Sequence, residues 1–116
     1  MNSDKKTIGI AASNASVLAN IASVGRFSSE LDAAKFAMAY AIKEGVSIRS
    51  FDGVDTKWNV GSFDPDGSMR SLLEALFPDT TEPYRLAESL MNEGIKHLDV
   101  ALASNGDFYE TLFSNT

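Results

Sequence analysis

Cysteine is absent from this sequence of 116 residues, and histidine occurs only once, as His97. Without cysteine the chain has no disulfides, no thiolate nucleophile and no cysteine-based metal site. A structural zinc site needs four cysteine or histidine ligands, so a single histidine excludes it. The absence of cysteine also fits a reducing compartment, and we expect a cytoplasmic protein that holds no metal ion.

Long apolar runs are missing too. No stretch approaches the roughly 20 apolar residues that a membrane-spanning helix needs. Residues 1–6 are polar, and Asn14 and Asn20 interrupt the Ala- and Ser-rich segment after them, which is untypical of a signal peptide. We therefore expect no membrane association and a flexible N-terminal segment over residues 1–6.

The motifs of the common enzyme classes are also missing. The sequence has no Gly-x-Ser-x-Gly elbow, no glycine-rich phosphate loop and no dinucleotide fingerprint. Residues 64–67, Asp-Pro-Asp-Gly, resemble the start of a calcium loop, but Ala75 stands where the loop needs a bidentate glutamate. We expect neither enzymatic activity nor a cofactor.

Clustered positive charge is the last absence. The net charge is −6, and among the ten lysines and arginines only Lys5 and Lys6 are adjacent. A phosphate backbone is bound by clustered cations that displace its counterions. Direct binding of nucleic acid is therefore disfavoured. A protein partner is the expected ligand, and a homo-oligomer is left open.

The composition that remains, with 44% apolar and 22% charged residues, suits a single globular domain over residues 1–116. We predict the α+β class, with three to four main helices and a small antiparallel β-hairpin. Apolar residues recur at helical spacing in four segments. These segments predict a short helix that starts at Ser13 or Asn14 and ends at Gly25, and helices over 28–44, 68–77 and 82–104.

Extended structure is predicted in two places. Residues 7–10 favour a short strand, and alternation over 46–63 around the Asp52-Gly53 turn predicts the hairpin. An isolated hairpin is only marginally stable in water, so we expect it to pack on the helices.

The alanine-rich helix at 28–44 has the clearest boundaries. Ser29 and Asp32 form a capping box at its start, and Gly45 suits a left-handed residue after its end. Its alanines allow a neighbouring helix to approach closely, and Gly94 is predicted to make that approach from the last helix. The other helices have predicted cap residues as well: Ser13 or Asn14, Ser68, and Thr80 or Thr81.

Three residues are candidates for contacts with a partner: Trp58, His97 and Arg49. Trp58, in a polar extended stretch, either anchors the hairpin on the helices or serves as an interface aromatic. His97 follows Glu93 by one helical turn; such a pair could move a proton, although a solvated pair is the simpler interpretation. Arg49 is the one basic residue that closely follows the 28–44 helix.

The segment Arg26–Gly45 combines a phenylalanine, a polar cap and an alanine-rich helix ending in glycine. With Trp58 in extended chain and the helix around 87–98, it resembles small prokaryotic proteins found beside DNA phosphorothioation and related defence systems. The resemblance covers residues 26–102 and implies an accessory role without chemistry. This chain departs from the group because Arg49 is the one basic residue in the segment directly after the 28–44 helix, so no shared nucleic-acid contact is implied.

These observations favour a non-enzymatic protein-interaction module, an accessory part of a prokaryotic DNA-modification or defence system. Two alternatives stay open. One is a dimeric DNA-associated regulator. The other is a small-ligand-binding domain, which a deep apolar pocket beside Trp58 or Tyr84 would favour.

Overall fold

Five helices and a two-stranded sheet make up the part of the chain that the structure, a computed structural model, describes: residues 4–48 and 53–105. The elements in chain order are β1 (Thr7–Ala11), a 3-10 turn (Ala12–Asn14), α1 (Ala15–Val24), α2 (Glu30–Glu44), β2 (Val54–Asn59), α3 (Val60–Phe63), α4 (Ser68–Leu76) and α5 (Pro83–Asn105). The α+β class predicted from the sequence is confirmed. Buried side chains from β1 and from all five helices pack into one core, centred on α2 and α5.

Both ends of α2 follow the predicted signals. The Ser29 hydroxyl accepts a hydrogen bond from the Asp32 amide at 3.1 Å, so the cap forms as expected and the helix begins at Glu30. Gly45 is left-handed, with φ of 62°, and its amide donates to the Ile42 carbonyl. The next amide, of Val46, donates to Ala41 and completes a two-bond helix stop.

The predicted hairpin over 46–63 is wrong in its pairing. β2 does form in that segment, but its partner is β1, in an antiparallel ladder that runs from Thr7 opposite Asn59 to Ala11 opposite Val54. The helix stop explains the difference, because the Val46 amide is used to close α2 and residues 46–48 lie in no strand. The end of the predicted hairpin, 60–63, is the short helix α3. Arg49 and Asp52 lie outside the described residues.

The second edge of β1 is covered by polar side chains of α5 instead of a third strand. The Gly9 amide donates to a carboxylate oxygen of Glu88 at 2.8 Å, and the Ala11 amide donates to Oδ1 of Asn92 at 2.9 Å. The Asn92 amide group donates back to the Gly9 carbonyl at 3.2 Å. Two residues one turn apart on a helix thus supply the hydrogen bonds of a neighbouring strand, which leaves no open edge there.

Two aspartates cap helices from a distance. The predicted cap of α4 is wrong, whereas at α5 the predicted Thr80 accepts from the Glu82 amide at 3.4 Å, just before the helix begins. The Asp64 carboxylate, rather than Ser68, accepts from the amides of Met69 and Arg70, both at 3.0 Å. At α5 the acceptor is the Asp4 carboxylate, which takes the amides of Tyr84 and Arg85. Carboxylates at these positions satisfy free amides and also oppose the positive end of each helix dipole.

The cap predicted for α1 is wrong for a similar reason. Neither Ser13 nor Asn14 caps the helix, since Asn14 is buried and its side-chain amide donates to the Asn92 carbonyl and Oδ1, both at 3.1 Å. Asp4 and Lys5, from the segment predicted to be flexible, both contact α5, with Lys5 Nζ 2.5 Å from Glu88. The flexibility of residues 1–6 itself stays a prediction.

The apolar stripe of α4 is less buried than its sequence suggests. Leu73 is fully buried, but Leu72 and Leu76 are 46% and 49% exposed. The helix has only nine residues, and Leu73 is the residue of α4 that is buried in the core.

Tyr84 is expected to ionise at unusually high pH. Burial and the hydrogen bond that its hydroxyl donates to Asp64, at 2.8 Å, raise the pKa of Tyr84 from 10.0 to about 12. The folded chain therefore holds this proton more tightly than the unfolded chain. The associated stability is complete below about pH 10 and is lost as the pH rises through 12.

This prediction can be checked by titrating the phenolate absorbance of the wild type and of Tyr84→Phe. The absorbance difference between the two proteins, which reports Tyr84, should have its midpoint near pH 12, and Asp64→Asn should move that midpoint toward pH 10. A Tyr84 midpoint near pH 10 in the wild type would show that the Tyr84–Asp64 hydrogen bond does not form.

Among the helices described, none combines the length and the apolar character needed to cross a lipid bilayer. The cytoplasmic location stays a prediction.

Candidate functional site

The candidate site lies on the pair α2 and α5, which pack unusually closely. A Cβ atom placed on Gly94 would come 1.9 Å from the Ala37 carbonyl oxygen, far inside any van der Waals contact. The close approach predicted for Gly94 is therefore confirmed. Ala33, Ala34, Ala37 and Ala41 are all buried along α2, so the small residues are on the contact face.

The two helices run in the same direction. Gly94 contacts Ala37, and further along both helices Tyr40 and Glu44 share a groove with His97 and Ala101. The C-terminal end of α2 therefore lies beside α5, about one turn before α5 itself ends. A parallel arrangement places the negative end of the α2 dipole next to this groove.

The groove has a volume of about 360 Å³. Its walls combine apolar and charged side chains: Tyr40 and Glu44 from α2, and Lys96, His97, Val100 and Ala101 from α5. Val100 is the most exposed of the large apolar side chains described, at 64%. An exposed apolar side chain together with an aromatic ring and a few charged side chains is a composition found in protein interfaces.

His97 is backed by a buried carboxylate. Its Nε2 lies 3.5 Å from a carboxylate oxygen of Glu93, whose side chain is only 4% exposed, whereas that of His97 is 48% exposed. The other oxygen of Glu93, Oε1, is buried and has no hydrogen-bond partner within residues 4–48 and 53–105. A buried carboxylate is costly unless a donor faces it, and the His97 ring is the group that faces Oε2.

Tyr40 stays protonated over a wide pH range. Burial and the nearby negative charge of Glu44 raise the pKa of the Tyr40 hydroxyl above its ordinary value. The groove thus offers a neutral phenol and the exposed ring edge of His97 between the charges of Glu44 and Lys96.

Trp58 is placed differently. It is half-buried on β2, lies opposite Ile8 and packs against the core. The ladder skips Lys57, which forms a bulge, and Lys57 Nζ lies 2.5 Å from Glu30 and 5.6 Å from the Trp58 ring centroid. A bulge and a lysine are features that discourage pairing at a sheet edge. The packing of Trp58 on the core favours its interpretation as an anchor of the sheet.

The structure places the two described contact residues, Trp58 and His97, in different regions. His97 lines the groove, Trp58 packs on the core from β2, and Arg49 lies outside the described residues. Tyr40, Glu44 and Lys96 were not predicted as site residues, because their meeting depends on the register between two helices. Only the spacing of Glu93 and His97 signalled this region in the sequence.

Over the described part of the chain, no three or more His, Asp or Glu side chains are grouped so as to hold a metal ion. The predictions that the protein has no metal, no cofactor and no enzymatic activity stay predictions.

Comparison with protein-family models gives no match, and comparisons with curated proteins and with solved structures likewise give none. The resemblance of residues 26–102 to small proteins of defence systems therefore also stays a prediction.

Proposed function

We propose that this protein is a non-enzymatic protein-interaction module that binds its partner in the groove between α2 and α5. The observation that carries the proposal is the groove itself, in which an exposed Val100 and Tyr40 are lined up with the charged side chains of Glu44 and Lys96. Covering the apolar part of such a surface is favourable, and its charged side chains restrict which partner can cover it.

The partner that suits this groove is an amphipathic helix of another protein. Two parallel helices in contact form a groove along their seam, and a third helix can lay an apolar ridge into it. Val100 and Ala101 would contact that ridge from α5, and Tyr40 would contact it from α2. An accessory role in a DNA-modification or defence system remains part of the proposal and rests on the resemblance over residues 26–102.

The proposal is tested with a photo-crosslinking residue at position 100, in cells of the native host, and a matched one at Val24. Val24 is a suitable control because it is also exposed but lies on α1, away from the groove. We expect one protein to be cross-linked from position 100 only. Once purified, that protein should bind the Val24→Glu variant normally and the Val100→Glu variant about tenfold or more weakly.

Equal binding of both variants, or no cross-link from position 100, would refute the groove as the interaction surface. A gel shift with duplex DNA that weakens steeply with rising salt would instead favour the alternative of a DNA-associated regulator.

A further inference from the structure

The groove is electrically asymmetric, and the asymmetry indicates what the partner helix carries. On the α2 side the charged side chain is Glu44, which is also the last residue of that helix. The C-terminal end of a helix adds roughly half a negative charge. The positive side chain, Lys96, stands on α5, where its long stem allows the ammonium group to turn into solvent.

The Glu93–His97 contact determines how the exposed histidine faces the groove. Since the buried carboxylate faces Nε2, the proton of a neutral His97 is placed on Nε2. The other ring nitrogen, Nδ1, is then a hydrogen-bond acceptor on an exposed side chain. A cationic hydrogen-bond donor is the ligand group that best matches Nδ1, the Glu44 carboxylate and the face of the Tyr40 ring.

We infer that the helix bound in this groove presents an arginine or lysine to the α2 wall, between Tyr40 and Glu44. The inference rests on the proposed function and adds the chemistry of the partner. The aliphatic stem of such a residue would contact Tyr40 and Val100, its charge would pair with Glu44, and one of its N–H groups would reach His97. An acidic residue at the same place would meet Glu44 and the negative end of α2 at close range.

The test uses two alanine-rich helical peptides that share one leucine ridge and differ only in a central arginine or glutamate. Binding to the full chain is measured by fluorescence anisotropy at constant ionic strength. We expect the arginine peptide to bind about fivefold more tightly than the glutamate peptide, which is the upper range for a solvent-exposed ion pair. The Glu44→Lys variant should reverse the order.

A matched control is Asp55→Lys, which changes the net charge by the same amount on the exposed strand β2. It should keep the preference for the arginine peptide. Equal binding of the two peptides to the wild type, tighter binding of the glutamate peptide, or binding of neither would overturn the inference. The proposed function fails separately, when position 100 cross-links no partner or Val100→Glu binds the purified partner normally.

Discussion

Replacing Gly94 by alanine should lower the free energy of unfolding by about 3 kcal/mol, near the upper range for an overpacked core position. In an open helix the same change would stabilise by about 1 kcal/mol, because alanine is the better helix former. Here the added Cβ would lie 1.9 Å from the Ala37 carbonyl oxygen and 2.6 Å from its carbonyl carbon. Both atoms belong to the backbone of α2, so no side chain can turn away and the helices must separate.

The matched control for this substitution is Gly61→Ala in the short helix α3. A Cβ atom on Gly61 would meet no atom within 4 Å, and Gly61 has no positive φ, so stability should change little. Denaturant unfolding of the wild type and both variants measures the difference. If Gly94→Ala is as stable as the wild type, α2 and α5 do not touch at this point and the groove between them is not formed as described.

The features that could be read from the sequence are the local ones. The start and end of α2 depend on Ser29, Asp32 and Gly45, which lie within or next to the helix they delimit. The contact of Gly94 with α2 could be predicted because a glycine inside a helix is costly and calls for a reason. In each case the residues that determine the feature lie within a few positions of it or share its periodicity.

The features that could not be predicted depend on residues distant in the chain. β1 and β2 are separated by α1 and α2, and neither strand contains a turn that identifies the other as its partner. Asp4 caps a helix that begins at Pro83, so no rule about neighbouring residues could identify it. In both cases the sequence also contains a local signal: the Asp52-Gly53 turn for a hairpin and a threonine before the last helix. The folded chain nevertheless pairs β2 with β1 and caps α5 with Asp4.

The groove was unpredictable for a related reason. The pairing of His97 with Glu93 could be predicted because they are one turn apart. The residues of α2 that face them depend on the axial register between α2 and α5. That register is determined by the contact between Gly94 and Ala37. A shift of one helical turn would place a different residue than Tyr40 opposite His97, and the charges at the margin would change with it.

The side chain of Asn92 is the second position at which a single change should have a large effect. Asn92 is fully buried, and its side chain makes four hydrogen bonds. Its Oδ1 accepts from the Ala11 amide and from Asn14, and its amide group donates to the carbonyls of Gly9 and Glu88. Removal of this side chain would leave several polar groups of β1 and the following turn buried without partners.

Asn92→Ala should therefore lower the free energy of unfolding by about 3–5 kcal/mol, since each orphaned buried group costs about 1–3 kcal/mol. The control Asn20→Ala, on the exposed face of α1, should change it by no more than about 0.5 kcal/mol. Amide hydrogen exchange adds a local readout, because Ala11 loses its acceptor while Gly9 keeps the Glu88 carboxylate.

If Asn92→Ala does not fold, Asn92→Asp tests whether the side chain at position 92 covers the edge of β1. The aspartate keeps an acceptor for the Ala11 amide but can no longer donate to the Gly9 carbonyl, and it brings a second carboxylate close to Glu88. We expect Asn92→Asp to be destabilised and to keep slow exchange at Ala11 relative to its own global stability. Wild-type stability in both variants would mean that α5 does not cover the edge of β1. That edge would then be open to another strand, and the strand order of the sheet would have to be revised.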